Sequence, residues 1–309
     1  MNSNLETHPL QRLRELYNTP DEQSAIKAIC RKLLASLNLQ QVPLPLRPIC
    51  NRLKLQVNYT NTESSEDSIL KLAPQGFSID ISKRKNWRRN RFTIAHEVIH
   101  LLLYTTVGMP LQSYDREQYE FVERLCDVGA SELLVSEDQL QQMLKDFGLG
   151  TEGMKKLYDG FLVSYEALFL KLAEFLSANI IIWKSYARHD GDSREFRVYN
   201  HFPKYRYADK STWLPTGCTA KHIFPDVLVG NEWRHLTLLM ENFQVLMNKK
   251  ATPCQAICFA FPTSRSSTHS LPMFEELVVK DEATYDDCVV MFLFSQKESF
   301  TNAANFVIP

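Results

Sequence analysis

The chain reads as an α+β protein in two parts, on three observations. A strictly alternating segment, Gly76 to Ser82, is followed by two long helical segments, roughly Arg88 to Tyr104 and Arg116 to Leu134. Beyond Ala178, short apolar runs separated by polar loops replace the helical pattern. With 44% hydrophobic and 23% charged residues over 309 positions, the chain carries enough apolar material for two cores.

Residues 1–19 read as a loose arm or a short helix. Pro20-Asp21-Glu22 opens a helix that runs to about Leu37. Its acidic first turn suits the positive end of the helix dipole, and Ala25, Ile26, Ile29, Leu33 and Leu37 form an apolar stripe. Pro43, Pro45 and Pro48 are expected to break the chain, because proline lacks the amide hydrogen that helices and sheets use. Leu53 to Tyr59 alternates like a strand, and Asn61 to Asp67 is a polar loop. In Gly76–Ser82, Phe77, Ile79 and Ile81 share one face while Ser78, Asp80 and Ser82 share the other, the pattern of a half-buried strand.

Three short helices are expected at Glu137–Asp146, Thr151–Asp159 and Ser164–Leu176, in a helix-turn-helix-like order. Glu137 to Leu176 holds four lysines against seven acidic residues. A DNA-reading surface needs the opposite balance, so direct DNA binding is not expected of it. Ile180–Trp183, Phe196–Tyr199, Ile257–Phe261 and Val289–Phe294 read as buried strands of a smaller α+β domain.

Whole-chain properties exclude several classes. A net charge of −1 gives no broad field for nucleic acid or membrane. The most apolar stretch, Ala167 to Trp183, is interrupted by Lys171, Glu174 and Asn179, so no membrane span is expected. Met1 to Pro20 is polar and lacks the apolar run of a secretory signal. Seven cysteines, an odd number spread over the whole chain, do not form a disulfide framework; a reducing cytoplasm is the expected location.

The chemistry concentrates in His96-Glu97-Val98-Ile99-His100. Residues four apart share a helix face, so two imidazoles at this spacing can converge on one zinc ion. Glu97, between them in sequence, lies too far round the helix to be a third ligand and is placed to accept a proton from an attacking water. The apolar neighbours, Phe92 to Ala95 before and Leu101 to Leu103 after, supply dry surroundings that strengthen an ion's field. A catalytic zinc needs a third protein ligand and one open position. On the next helix, Glu123 and Glu120 are both available, and spacing alone does not choose between them. Asp127, one turn after Glu123, can accept the free N–H of a zinc-bound histidine.

Arg91-Phe92-Thr93-Ile94-Ala95-His96-Glu97-Val98-Ile99-His100-Leu101-Leu102 resembles the R-F-T-I-A-H-E-x-x-H-x-L segment of the ImmA/IrrE zinc metallopeptidases. Glu123-Arg124-Leu125-Cys126-Asp127 through Ser136 resembles that family's second motif, and Phe161 to Leu168 resembles the segment after its catalytic core. Gly129 and Ser136 depart from it, standing where the family tends to have an aromatic residue and a proline. The resemblance, over about residues 20–177, implies a minimal zincin fold with Glu123 as third ligand and Gly76–Ser82 as the edge strand that binds substrate by strand addition. It further implies domains at 1–136 (zinc metallopeptidase), 137–177 (helix-turn-helix-like extension) and 178–309 (a GAF-like sensory domain). The implied activity is a regulated cut in a protein partner, typically a small helix-turn-helix repressor, in stress response, mobile-element transfer or phage defence. The competing expectation is a zinc-containing regulator that sequesters its partner without cutting it; an intact Glu97 speaks against that.

Further residues carry weaker expectations. Tyr104, one turn beyond His100, is the nearest candidate for a second oxyanion stabiliser, though an aromatic residue closing a helix is commonly a packing residue. Cys126 and Cys218 are candidates for a thiol that fills the open zinc position and inhibits. Cys254 and Cys258 have no matching second pair and are not read as a zinc finger. Lys83, Arg84, Lys85, Arg88, Arg89 and Arg91 form a basic run that is either a solvated turn or a docking patch for an acidic substrate region.

Overall fold

A computed structural model of the chain describes residues 8–60, 70–82, 87–110, 116–187, 194–202, 236–247, 250–264, 285–294 and 297–307. Two compact units emerge. One comprises residues up to 139 together with 160–164; the other takes residues 140–159 and the described residues from 165 onward.

The first unit opens with helix α1 (Pro9–Tyr17), whose leading proline costs no hydrogen bond because first-turn amides have no acceptor within the helix. Helix α2 (Glu22–Ser36) starts at Asp21, whose carboxylate accepts the Ser24 amide hydrogen at 2.7 Å. Of its expected stripe Ala25, Ile26, Ile29 and Leu33 are buried, the first two fully, while Leu37 lies just past the helix end and is half-buried.

Pro43, Pro45 and Pro48 do not keep the chain irregular throughout. Helix α3 (Leu46–Arg52) begins right after Pro45 and carries Pro48 in its first turn, where a missing amide hydrogen is tolerated. Strand β1 (Leu55–Thr60) follows; the expected Asn61–Asp67 loop lies outside the described residues.

Strands β2 (Leu70–Ala73) and β3 (Gly76–Ser82) complete a three-stranded sheet of order β1-β3-β2. Ile79 and Ile81 are fully buried, as the alternation predicts. The expectation that Gly76–Ser82 is an edge strand is overturned. It is the central strand, parallel to β1 over Phe77–Ser82 and antiparallel to β2 over Gly76–Ile79, so neither of its sides is a free edge along its whole length. Gly76 makes the entry into β3 possible. Its φ of +143° suits glycine, and a Cβ there would collide with the Lys54 carbonyl, which accepts the Phe77 amide hydrogen at 2.9 Å.

Helix α4 (Trp87–Val107) is buried on nearly every side, as its apolar sequence requires. Three of its polar side chains reach backbone carbonyls outside the helix. Asn90 donates to Ser82 at 3.1 Å, Arg91 to Leu44 at 2.9 Å and Arg88 to Val163 at 3.4 Å. Arg88 and Arg91 are 3% and 2% exposed, so the docking-patch reading of the basic run loses these two cations. Arg89 remains exposed, and Lys83 to Lys85 lie outside the described residues.

Helix α5 (Arg116–Leu134) packs on α4 and α2. Gly129 lies at the triple contact. A Cβ there would sit 2.7 Å from Ile26 Cγ2 and from Ile99 Cδ1 and Cγ1, so these two isoleucines fill the room an aromatic residue would need. Ser136 caps helix α6 (Glu137–Phe147), its hydroxyl accepting the Gln139 amide hydrogen at 3.4 Å.

Helices α7 (Thr151–Phe161) and α8 (Tyr165–Phe175) follow close to their expected bounds. In the second unit, strands β4 (Asn179–Ala187), β5 (Arg194–Phe202), β6 (Leu236–Met247), β7 (Lys250–Ser264) and β8 (Tyr285–Phe294) form one antiparallel sheet of order β5-β4-β8-β7-β6. Phe169 of α8 meets Phe292 of β8 edge to face, with ring centroids 6.5 Å apart, and both are fully buried. Helix α9 (Lys297–Ala304) closes the described chain. The chain is thus a mostly helical α+β protein. The GAF-like likeness expected of the last region finds no support. Among the described residues no helix is long and apolar enough to cross a membrane.

Candidate metal centre

One turn of α4 brings His96 and His100 together, with ring centroids 4.9 Å apart and Nε2 atoms 3.1 Å apart. Both side chains are 15% exposed. Helix α5 supplies the opposing carboxylate. Glu123 places one oxygen 3.2 Å from His96 Nε2 and the other 3.2 Å from His100 Nε2. Asp127, one turn further along α5, sits 3.0 Å from His96 Nδ1.

The two helices therefore act as a clamp. Nitrogen donors face oxygen donors across a gap small enough for one ion, and the far side of one imidazole is held by a second carboxylate. Two nitrogens and an oxygen are a donor set that zinc accepts, so the residues present fit the ion.

Electrostatics follow from that packing. Burial pulls the His96 imidazole down, but the hydrogen bonds and charges of Asp127 and Glu123 outweigh it and raise the group to about 10. Burial pushes Glu123 up, and the hydrogen bonds from His100 and His96 overcome it, bringing the carboxyl to about 2. Without an ion, His96 and Glu123 thus hold one another as charged partners.

Glu97 is 8% exposed, and its negative charge reaches the Cys126 thiol. Cys126 itself is fully buried, and its sulfur joins His96 and His100 in a group whose ligand atoms all lie within 4.8 Å of one another. Burial first, then the charges of Glu123, Glu97 and Asp127, push this thiol well above its usual value.

Other sequence-derived candidates are placed elsewhere. Glu120, the rival ligand, pairs with Arg116 at 3.2 Å on the exposed side of α5. Tyr104 is 39% exposed and packs edge-on against Phe77 of β3, at 5.8 Å between ring centroids. Cys218 lies outside the described residues. Sequence reasoning missed the anchoring roles of Asn90, Arg88 and Arg91. Their signal was present, as long polar side chains inside an otherwise apolar helix.

Residues 50–172 match a family described as Peptidase M78, IrrE N-terminal-like domain. No curated protein matches the chain. Among solved structures, a Mycobacterium tuberculosis transcriptional regulator is similar in fold, with a TM-score of 0.50 and 10% sequence identity over 97% of this chain and 86% of that one.

Proposed function

Because residues 50–172 belong to this peptidase family as its IrrE N-terminal-like domain, we propose that the chain is a zinc-dependent endopeptidase that makes a limited cut in a protein partner. The observation that carries the reading is the Glu123 carboxylate reaching both histidine Nε2 atoms while Asp127 holds Nδ1 of His96.

In this reading His96, His100 and Glu123 hold the ion. When bound, zinc supplies Lewis acidity, which activates water and polarises a peptide carbonyl. Glu97 is the general base. It takes the proton of the attacking water and hands it to the leaving amine. Asp127 accepts the His96 Nδ1 hydrogen and so fixes the ring's tautomer and direction.

Substrate backbone adds to the sheet at β2 rather than β3. Strand β2 pairs with β3 on one side only among the described residues, and its Leu72 is 72% exposed. The partner is a small helix-turn-helix repressor, cut in a cytoplasmic stress or phage-defence response. The region from Ala178 onward, on the resemblance alone, senses the trigger.

Glu97→Gln tests this. Peptide cleavage should fall by about 10²–10⁴-fold, the usual contribution of a general base, while zinc content is unchanged. Mapping new protein N-termini in cells carrying either form identifies the target. New termini in one repressor-like protein, confined to wild type, support the reading. Equal cleavage by the variant would remove Glu97 from catalysis.

A further inference from the structure

We propose that Cys126 is a fourth protein ligand of this centre, so that the resting site is closed and hydrolysis requires the sulfur to yield its place to water. The proposal rests on the reading that His96, His100 and Glu123 hold a metal ion.

Three observations lead to it. First, Glu123, Cys126 and Asp127 occupy positions i, i+3 and i+4 of α5, which share one helix face. Glu123 and Asp127 both touch the histidines from that face. Second, the Cys126 sulfur already lies within 4.8 Å of a ligand nitrogen on each histidine. Ligands of one tetrahedral zinc stand about 3.3–3.6 Å apart, given bonds of about 2.0–2.1 Å to nitrogen and 2.3 Å to sulfur. The remaining gap is on the order of one ångström, within the reach of a side-chain rotation. Third, Cys126 is 0% exposed, so its sulfur is shielded from reagents in solvent. Cys30, the neighbouring buried cysteine, spends its hydrogen on the Gly129 carbonyl at 3.6 Å.

A thiol sealed in this way is inert as a nucleophile. Toward an ion it behaves differently. Coordination breaks the S–H bond, releases the proton to solvent and leaves a thiolate, a donor that zinc prefers to a carboxylate on grounds of softness. Three protein ligands with an open position mark a catalytic zinc; four mark a closed one. A site with His96, His100, Glu123 and Cys126 all engaged is closed. Opening it returns a proton to the sulfur and admits a water.

The experiment is cobalt substitution, read by absorption rather than by turnover. The full-length wild type, Cys126→Ser and Cys126→Ala are each loaded with Co2+. The expected wild-type spectrum has visible ligand-field bands of tetrahedral cobalt together with a near-ultraviolet sulfur-to-cobalt charge-transfer band. Both variants should keep the ligand-field bands and lose the charge-transfer band. If wild type shows ligand-field bands alone, or if the charge-transfer band persists in the variants, Cys126 is not a ligand and the proposal is overturned, with the three-ligand centre intact. If wild type binds no cobalt, the metal reading falls and the proposal falls with it.

Discussion

At the scale of single residues, the centre depends on which atom holds which. His96 uses both ring nitrogens, Nε2 toward Glu123 and Nδ1 toward Asp127, whereas the contacts of His100 to its partners run through Nε2. In the proposed centre Asp127 would therefore act on the ion through His96. It fixes the ring and raises the donor strength of the opposite nitrogen. Asp127→Asn keeps the shape and removes the charge, and the expected result is a loss of about 10–100-fold in zinc affinity, the usual cost of removing such a partner. Competition with a chelator measures it. An unchanged affinity would mean that Asp127 holds His96 only in the metal-free protein. A four-residue spacing has one meaning on a helix, so His96 and His100 share a face, with their Nε2 atoms 3.1 Å apart. Spacing alone did not separate Glu123 from Glu120. Three residues apart on one helix, they look equivalent until Arg116 is seen to occupy Glu120.

At the scale of elements, the site depends on the distance between α4 and α5, and Gly129 sets it. Alanine is the better helix former by about 1 kcal/mol, so in an isolated helix Gly129→Ala would stabilise. Here the added methyl would meet Ile26 and Ile99 at 2.7 Å, and overpacking of this kind costs about 1–3 kcal/mol. The second effect is larger, so the variant should unfold at a lower temperature. It should also bind zinc more weakly, because Ile99 precedes His100 on the displaced helix. A melting temperature above that of wild type would show that α4 yields without cost. The long helices were legible in the sequence because their apolar periodicity is strong and their length decides between helix and strand. Other elements were hidden for specific reasons. Helix α3 carries proline where proline does no harm. Strand β2 is four residues long and half exposed, too short for alternation to register. The central place of β3 is invisible in principle, since alternation reports the two faces of a strand and is silent about its two edges. Arg88 and Arg91 misled in the opposite way, because a charge run normally marks solvent, yet both guanidinium groups are sealed against backbone carbonyls.

At the scale of the whole molecule, the question is whether the protein reads DNA itself or acts on a protein that does. Helices α6 to α8 have a helix-turn-helix-like order, and the similar solved fold is that of a transcriptional regulator, but likeness of fold carries no activity with it. Charge decides. Of the four lysines between Glu137 and Leu176, Lys171 is only 1% exposed and pairs with Glu174 at 3.7 Å. That leaves Lys145, Lys155 and Lys156 on the surface, against exposed Asp138, Asp146, Glu152, Asp159 and Glu174. Non-specific duplex binding is driven by cations that release counterions from phosphate, and typical proteins achieve it with dissociation constants of about 10⁻⁴–10⁻⁶ M. These exposed side chains are net acidic, five carboxylates against three ammonium groups, a balance that disfavours phosphate. Fluorescence anisotropy of a labelled duplex should therefore stay flat up to about 10 µM protein even at low salt, where electrostatic binding is strongest. Binding that weakens steeply as salt rises would contradict the charge argument and make the three helices a DNA reader. A flat titration, together with Glu97-dependent cleavage of a repressor, would place the protein's influence on transcription entirely in the bond it cuts.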